Sequence, residues 1–423
     1  MDETHRQNLR KSRAETDARR KLQVCKVFET KVDKSRLKNT TIEQLERAFL
    51  EAKWLYNYLV ALSQDADFLF DLDCQKLKEV KVLNKDKEWE TRELKILKTH
   101  SKGEIWNRFK TNIKSLAALK KNGYEIGRLK FKSEVNSIPF SSGDAEVKTA
   151  NKIKLPGIKQ WIPVKGLKRI LDIEGIEIAN ATLIRRCGDY YINLTTFQFK
   201  DRISKENNGQ SIAIDFGVKN SFTLSDGRTF NYSFEETERM KRLQQKLSRQ
   251  KKGSNNRRKT KEKLKKAYQK LSNKKKDAAN KFVVMISHYN RVCIQDEQLD
   301  SWKVEGSRAR FNSKRIQHSI LGLTKSKLIN LPQTVVLEKW IPTTQWCHVC
   351  GNKTKTTGSV FNCSNCGDSG DRDVHAAKNM LFILENFIPV ERRDFKLVEF
   401  EASCRKIKFL TMKQEDHRSL ACD

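Results

Sequence analysis

Four cysteines and three acidic residues are the side chains whose types and spacing could do chemistry in this sequence. Cys347-His-Val-Cys350 and Cys363-Ser-Asn-Cys366 are two Cys-x-x-Cys pairs separated by twelve residues, the first followed by Gly351 and the second by Gly367. Two such knuckles, each turning on a glycine, bring four thiolates into a tetrahedron, which suits one structural Zn²⁺ and leaves no open position. Cysteines serving as small core hydrophobes would not repeat the spacing, and with four thiolates available His348 reads as an exposed knuckle residue. The acids lie farther apart: Asp215 closes the apolar run Ile212-Ala-Ile214, Glu297 follows Val292–Ile294 with Asp296 as its rival, and Asp373 precedes Ala376, Ala377, Met380 and Leu381 at helical spacing. Any one of them alone reads as a solvated carboxylate. Together they offer the oxygen ligands that two Mg²⁺ ions, roughly 3.5–4 Å apart, need to clamp the attacking and leaving oxygens of a phosphodiester.

The elements that must position these groups are legible nearby. Ile212–Ile214 reads as a buried strand, Gly217 permits the tight turn after it, and Asp226-Gly227 between two β-rich runs is a hairpin signal. A buried strand with an acid at its exit, continued by a hairpin, is how a ribonuclease-H-like nuclease domain begins. Val292–Ile294 is placed beside that strand, Asp373 at a helix start where the dipole's positive end lies, and Thr334–Leu337 on a strand leading to the knuckles. Between them, Arg239 to Lys276 carries a single acid, Glu262, and is split by Lys252-Gly-Ser-Asn-Asn-Arg257. Two basic helices joined by a turn are expected. Charge of one sign at this density repels itself unless phosphates neutralise it, so Lys251, Lys252, Arg257, Arg258 and Lys259 are assigned to a nucleic-acid groove rather than to a solvated face. Ser301 to Leu331 is read as a further basic helix.

The succession Asp215-Phe-Gly-Val-Lys-Asn220, Gln295-Asp-Glu-Gln-Leu299, Pro342-Thr-Thr-Gln-Trp-Cys-His-Val-Cys-Gly351, Cys363-Ser-Asn-Cys-Gly367 and Asp371-Arg-Asp-Val-His-Ala-Ala-Lys-Asn379 resembles the TnpB family of transposon-encoded RNA-guided nucleases and the related miniature type V CRISPR effectors. The resemblance is specific over residues 204–400 and looser before that. It implies that Asp215, Glu297 and Asp373 are the acids of a RuvC centre holding two catalytic Mg²⁺, and that Cys347, Cys350, Cys363 and Cys366 hold one structural Zn²⁺. It further implies a guide RNA, of transposon or CRISPR type, that pairs with double-stranded target DNA beside a short flanking motif, with one or two protein copies per guide. His375 stands where the family usually has Asn.

Composition agrees with a polyanion as partner. The 423 residues carry 85 Lys and Arg against 52 Asp and Glu, a net charge of +33. A membrane surface would also attract such a chain, but no apolar run approaches the roughly 20 residues of a spanning helix. Met1 to Lys21 is charged throughout and does not read as a secretory leader. Cys25, Cys74, Cys187, Cys293, Cys404 and Cys422 are scattered as free thiols would be, which fits a reducing, cytoplasmic setting; the family resemblance implies a prokaryotic one, close to the nucleoid.

The expected architecture is α+β and multidomain. Residues 1–22 are a basic tail or frayed helix. A wedge β-barrel takes 23–38 and 125–203, its first strand near Val27, and is interrupted by a helical recognition lobe over 39–124. Within that lobe Thr40 or Thr41 would cap a helix carrying Leu45, Phe49, Ala52, Leu55, Tyr56 and Leu59, with Trp54 and Tyr58 as core rather than stacking residues. The RuvC nuclease domain takes 204–345 and 369–399, a zinc-binding target-nucleic-acid module 346–368, and a patternless tail 400–423. The principal alternatives to a guided endonuclease are a guided DNA-binding protein without cleavage and a zinc-ribbon nucleic-acid-binding protein, which degenerate acids would mark; here the acid set is complete.

Overall fold

The computed structural model describes residues 3–64, 72–84, 88–148, 151–199, 208–304, 309–354, 358–388, 397–401 and 406–410. The chain divides into two units, Met1–Ser204 and Lys205–Asp423. In the first, α1 (Glu3–Lys21) and β1 (Gln23–Val32) are followed by α2 (Asn39–Leu62), the hairpin β2 (Glu79–Leu83) and β3 (Trp89–Glu93), and α3 (Thr99–Lys121). Then come β4 (Ser137–Phe140), β5 (Glu146–Lys148), β6 (Lys152–Lys154), β7 (Ile162–Lys165), α4 (Lys168–Leu171), β8 (Glu177–Arg186) and β9 (Asp189–Phe199).

Seven of these strands pair antiparallel in the order β4-β8-β9-β1-β7-β6-β5. β1 lies between β9 and β7, so α2, β2, β3 and α3 fall in sequence between strands that are neighbours in the sheet. The sheet is a half-barrel rather than a closed one: β4 and β5 are its two edges. Two readings of the insertion are corrected. Residues 79–93, within the stretch read as mostly helical, form a hairpin instead: Val80 and Val82 alternate inward with exposed neighbours, the two-residue period of a strand, and Asn84 N–H donates to Glu88 O (2.9 Å) where the strands end. The expected threonine cap is also absent, since Lys38 occupies the cap position without a side-chain bond and Thr41 donates instead to Gln160 (2.7 Å). The apolar face of α2 is buried as expected, Trp54 with it. Glu51, fully buried, accepts from the backbone N–H groups of Lys95, Ile96 and Leu97 (2.8–3.0 Å) and from Arg47 (2.9 Å), so its desolvation is compensated. The N-terminal tail is helical to Lys21, where Arg20 pairs with Glu177 (2.7 Å) and lies over the Phe197 ring.

The second unit begins with β10 (Ser211–Phe216), β11 (Phe222–Leu224) and β12 (Thr229–Phe230), then α5 (Glu238–Arg249) and α6 (Asn255–Ile286). It continues with β13 (Arg291–Gln295), α7 (Ser301–Val304), α8 (Ala309–His318), α9 (Leu321–Ile329), β14 (Thr334–Leu337), β15 (Val360–Asn362), β16 (Ser369–Asp371), α10 (Arg372–Phe387), β17 (Leu397–Glu401) and β18 (Lys406–Leu410). The main sheet runs β12-β11-β10-β13-β14-β17-β18, with β10, β13, β14 and β17 parallel and β11 and β12 antiparallel to their neighbours. Among the described residues the segment 301–331, read as one helix, is broken at Ser319–Ile320, between α8 and α9. The tail from Cys404, read as patternless, includes β18; residues 402–405 and 411–423 lie outside the described residues.

Strand parity decides which layer each side chain meets. Ile212, Ile214, Val292, Ile294 and Val336 join Ala279, Phe282 and Ile286 of α6 and Leu321 and Leu328 of α9 in one core. On the opposite face Ala213, Cys293, Val335 and Leu337 meet Ala377, Met380, Ile383 and Leu384 of α10. The sheet is therefore sandwiched between helices, and Asp215, two residues past Ala213, belongs to the α10 face. Among the described residues no helix is long and apolar enough to cross a membrane.

Candidate metal centres and nucleic-acid surface

Asp215 is the penultimate residue of β10, one position beyond the last paired residues of the parallel ladder, Ile214 opposite Ile294. The chain then turns at Gly217, where an added Cβ would meet the Asn220 carbonyl oxygen at 2.6 Å, so the close approach that starts the hairpin requires glycine. Burial pushes the Asp215 carboxyl well above the usual carboxylate range, and the charges of Asp373 and Glu297 push it further; only Arg372 and the Phe216 N–H act the other way. Two acids distant in sequence are thus near enough to repel a third. Asp373 sits in the first turn of α10, whose cap is Asp371: its carboxylate accepts from Asp373 N (2.9 Å) and Val374 N (3.1 Å). The Arg372 guanidinium lies 3.2 Å from Asp373 and also donates to Gly358 O (2.9 Å).

The rival acids after β13 part company in the structure. Asp296 continues the ladder through its N–H to Leu337 O (2.8 Å), and its carboxylate is held by Lys325 (2.7 Å) of α9. The same ammonium donates to Glu297 O (2.7 Å), fixing the backbone that carries Glu297. Burial raises the Glu297 carboxyl, Lys325 lowers it and Asp296 raises it. Glu297, not Asp296, is the acid felt by Asp215.

Among the described residues, the groups whose ligand atoms all fall within 4.8 Å of one another are the four cysteines and a set of Cys347, Asp368 and His375. The three acids are more widely spread. All three are half-buried, and a group of carboxylates that repel one another is a donor set that divalent cations stabilise.

The four-cysteine group fits zinc closely. Cys347 and Cys366 sulfurs lie 3.7 Å apart and those of Cys350 and Cys363 3.5 Å; a tetrahedron with Zn–S near 2.3 Å has sulfurs about 3.8 Å apart. Both glycines take positive φ (Gly351 72°, Gly367 73°), and each donates its N–H back to the first cysteine of its knuckle. The N–H groups of Cys366 and Asn365 lower the Cys363 thiol to about 6, whereas burial pushes the Cys347 thiol up, a charge cost that a bound cation would relieve.

This module is bonded to α10. His375 is buried, its ring stacked on Phe361 (centroids 3.5 Å apart), with Nε2 3.0 Å from Trp346 O and Nδ1 3.4 Å from Asp368. Asn379 donates to Thr343 O (2.5 Å) and to Trp346 O, while its own oxygen lies 3.1 Å from His348 Nδ1. His348 is therefore half-buried against α10 rather than a free knuckle residue. The Arg372 N–H donates to Ser359 O (2.9 Å). The helix that presents Asp373 and the module that would hold zinc are thus continuous through side chains as well as backbone.

The basic run forms two helices as expected. Thr237 and Ser254 cap α5 and α6 with side-chain oxygens. Lys251, Lys252, Arg258 and Lys259 are exposed. Arg257 is turned inward, its guanidinium donating to Leu247 O and to Gln250 O (2.9 Å), where it satisfies the carbonyls at the end of α5.

Several contributors escaped the sequence reading. Gln295 is buried at the end of an apolar strand, a position where an amide must find partners; Lys325 and Arg372 carry no local signal, since their partners come from other elements or become relevant only with the fold.

Two family models match this chain: a probable-transposase model (OrfB_IS605) over residues 196–296 and the TNB domain of Cas12f1-like proteins over residues 330–380. The chain is 26% identical over 218 residues to a Streptomyces pristinaespiralis protein named "Putative RNA-guided DNA endonuclease", covering 49% of this chain and 53% of that one. It is 24% identical over 276 residues to "Putative RNA-guided DNA endonuclease InsQ" of Escherichia coli (strain K12), covering 60% of this chain and 67% of that one. The match therefore spans about half the length of the first relative and two thirds of the second. A solved Cas12f1-sgRNA-target DNA complex aligns over 84% of this chain and 98% of its own with 14% identity and a TM-score of 0.23, a likeness that carries no argument here.

Proposed function

This chain belongs to the TnpB-like family, and from that premise we propose that it is an RNA-guided DNA endonuclease in which Asp215, Glu297 and Asp373 form one RuvC centre. The observation that carries the reading is that the charges of Asp373 and Glu297 both raise the half-buried Asp215 carboxyl, so that acids from two strand ends and a helix start lie within electrostatic range of one another. The strand order supports it: the third, second, first, fourth and fifth strands of the second unit lie side by side, with the first, fourth and fifth parallel, the arrangement of ribonuclease-H-like domains. On this reading residues 204–345 and 369–399 are the nuclease domain, 346–368 the zinc-binding target-nucleic-acid module, 23–38 with 125–203 the wedge half-barrel, and 39–124 the recognition lobe.

The three carboxylates would hold two Mg²⁺, which when bound supply Lewis-acid stabilisation of the attacking and leaving oxygens of the phosphodiester. The chain's own residues set the geometry. Lys325 occupies Asp296 and fixes the Glu297 backbone, so one acid of the pair is left for the site. Arg372 partly neutralises Asp373 and keeps a cation at the rim, where a phosphate would arrive. Exposed Lys251, Lys252, Arg258 and Lys259 would neutralise backbone phosphates of a guide–target duplex, while base pairing with the guide selects the sequence, the division of labour seen in another guided nuclease class.

The test is to purify the protein with its co-expressed RNA, sequence that RNA, and offer matched double-stranded DNA with Mg²⁺. Cleavage that requires the RNA match, disappears in EDTA and is lost on Asp215→Ala, Glu297→Ala or Asp373→Ala with guided binding retained is expected. Cleavage surviving Glu297→Ala but lost in Asp296→Ala would overturn the acid assignment.

A further inference from the structure

Among the described residues the most exposed large apolar side chain is Trp340, 73% exposed. An indole left in water is ordinarily a mobile surface group, yet here the backbone beneath it is pinned. Gln295, 3% exposed, donates through Nε2 to Glu338 O (3.0 Å), Lys339 O (3.2 Å) and Ile341 O (2.9 Å), and its Oε1 accepts from Thr343 Oγ1 (3.0 Å). Asn379 of α10 holds the far end of the loop at Thr343 O (2.5 Å). One buried amide thus turns both its N–H donors and its oxygen on Glu338, Lys339, Ile341 and Thr343, which flank Trp340, and this is far more order than an exposed loop needs for its own sake.

The place of the loop is equally specific. Gln295 is the last residue of β13 and is followed at once by Asp296 and Glu297; Asn379 lies on α10, whose first turn carries Asp373. The loop therefore bridges the strand end and the helix that deliver two of the three acids. The Lys339 ammonium lies over the indole, 4.3 Å from the ring centroid, a cation beside an otherwise open aromatic face. A rigid aromatic with an adjoining cation is the pairing that single-stranded nucleic acid recognises: the ring takes a base, the ammonium takes the next phosphate.

We propose that Trp340 is a stacking platform for an unpaired nucleobase of the DNA strand that enters the Asp215–Glu297–Asp373 site, with Lys339 on the adjoining phosphate. This rests on the endonuclease reading above for its substrate. It makes Trp340 a positioning residue: by stacking a base near the acids, it sets which phosphodiester reaches them.

The test compares the zinc-loaded protein with bound guide RNA as parent, Trp340→Ala and Trp340→Phe, using matched DNA in which a single abasic nucleotide is moved along the cut strand. Base stacking on an aromatic is worth a change of about tenfold to a hundredfold, so Trp340→Ala should cut that much more slowly while guided duplex binding, zinc content and melting temperature stay at parental values. Trp340→Phe should remain within about threefold. At one position the abasic nucleotide should slow the parent to the same degree and slow Trp340→Ala no further. Trp340→Ala cutting at the parental rate would overturn the proposal, as would losses from the abasic site and from Trp340→Ala that multiply at every position. A binding arm separates this from the endonuclease reading. With an Asp215→Ala background, a short single-stranded oligonucleotide should bind about tenfold more weakly when Trp340 is also Ala, and equal affinity would overturn stacking. A parent that binds in this way but cuts no guided DNA would refute the nuclease and leave the platform standing.

Discussion

Replacing Asp215 by Asn should make the metal-free protein more stable and the metal-loaded protein relatively less so. The two side chains have nearly the same shape, so the change removes a charge and little packing. In the folded chain that charge is desolvated at the end of β10 and repelled by Asp373 and Glu297, which raises the carboxyl well above its usual range. In the unfolded chain it ionises near 3.9. A raised acid works against folding: below about pH 3.9 it is neutral in both states and contributes nothing, and as pH rises the unfolded chain ionises freely while the folded chain resists. The direction of that shift predicts that Asp215→Asn is the more stable protein at pH 7 in EDTA, with a higher melting temperature than the parent. The gain should fade as pH is lowered to about 4. Millimolar Mg²⁺ should stabilise the parent and not the variant, because only the parent's folded state binds it tightly. Differential scanning calorimetry at pH 4 and 7, with EDTA and with Mg²⁺, reads all four states. An Asn variant less stable than the parent in EDTA at pH 7, or a difference that does not change with pH, would refute the electrostatic account of this site.

Other outcomes follow from the same geometry. Changing Cys347, Cys350, Cys363 or Cys366 to Ser should release zinc and unfold residues 346–368, and fewer than about half an equivalent of zinc in freshly purified parent, by elemental analysis, would count against the site. His375→Ala should keep the four sulfurs yet lower the melting temperature by loosening Phe361, Trp346 O and Asp368, a loss of about 2–4 kcal/mol for a buried ring with its bonds, and it should slow cleavage because α10 carries Asp373. Replacing Lys251, Lys252, Arg258 and Lys259 together by Gln should reduce the salt slope of target binding by two or more, with the preference for matched DNA unchanged; a slope equal to the parent's would make them a solubility feature. Arg257→Gln should instead lower stability without altering that slope, since its guanidinium serves the end of α5.

The chemistry of this chain is written locally, and its arrangement is not. The knuckles Cys347-His-Val-Cys350 and Cys363-Ser-Asn-Cys366, the apolar runs that end in Asp215 and near Glu297, and the hairpin at Asp226-Gly227 are short-range patterns whose meaning needs only the neighbouring residues. Periodicity could likewise place α10 and the helices of the basic run, because a repeat of hydrophobic positions is itself a statement about one face of one element. What sequence could not decide is whatever depends on a partner from another element. Asp296 and Glu297 are adjacent and chemically alike; Lys325, twenty-eight residues beyond Glu297 on α9, engages one and leaves the other to the site. Arg257 looks like its basic neighbours and differs only because the carbonyls ending α5 lie within its reach. His375 reads as a departure near the acids and is in fact the ring on which Phe361 of the four-cysteine module is stacked. Trp340 is one aromatic among several until Gln295 fixes the loop beneath it. Local pattern fixes what a residue can do because propensity and spacing act over a few residues. Which of its possible roles it performs is set by burial and by charges that folding brings within a few ångströms, across separations in sequence that no local pattern encodes.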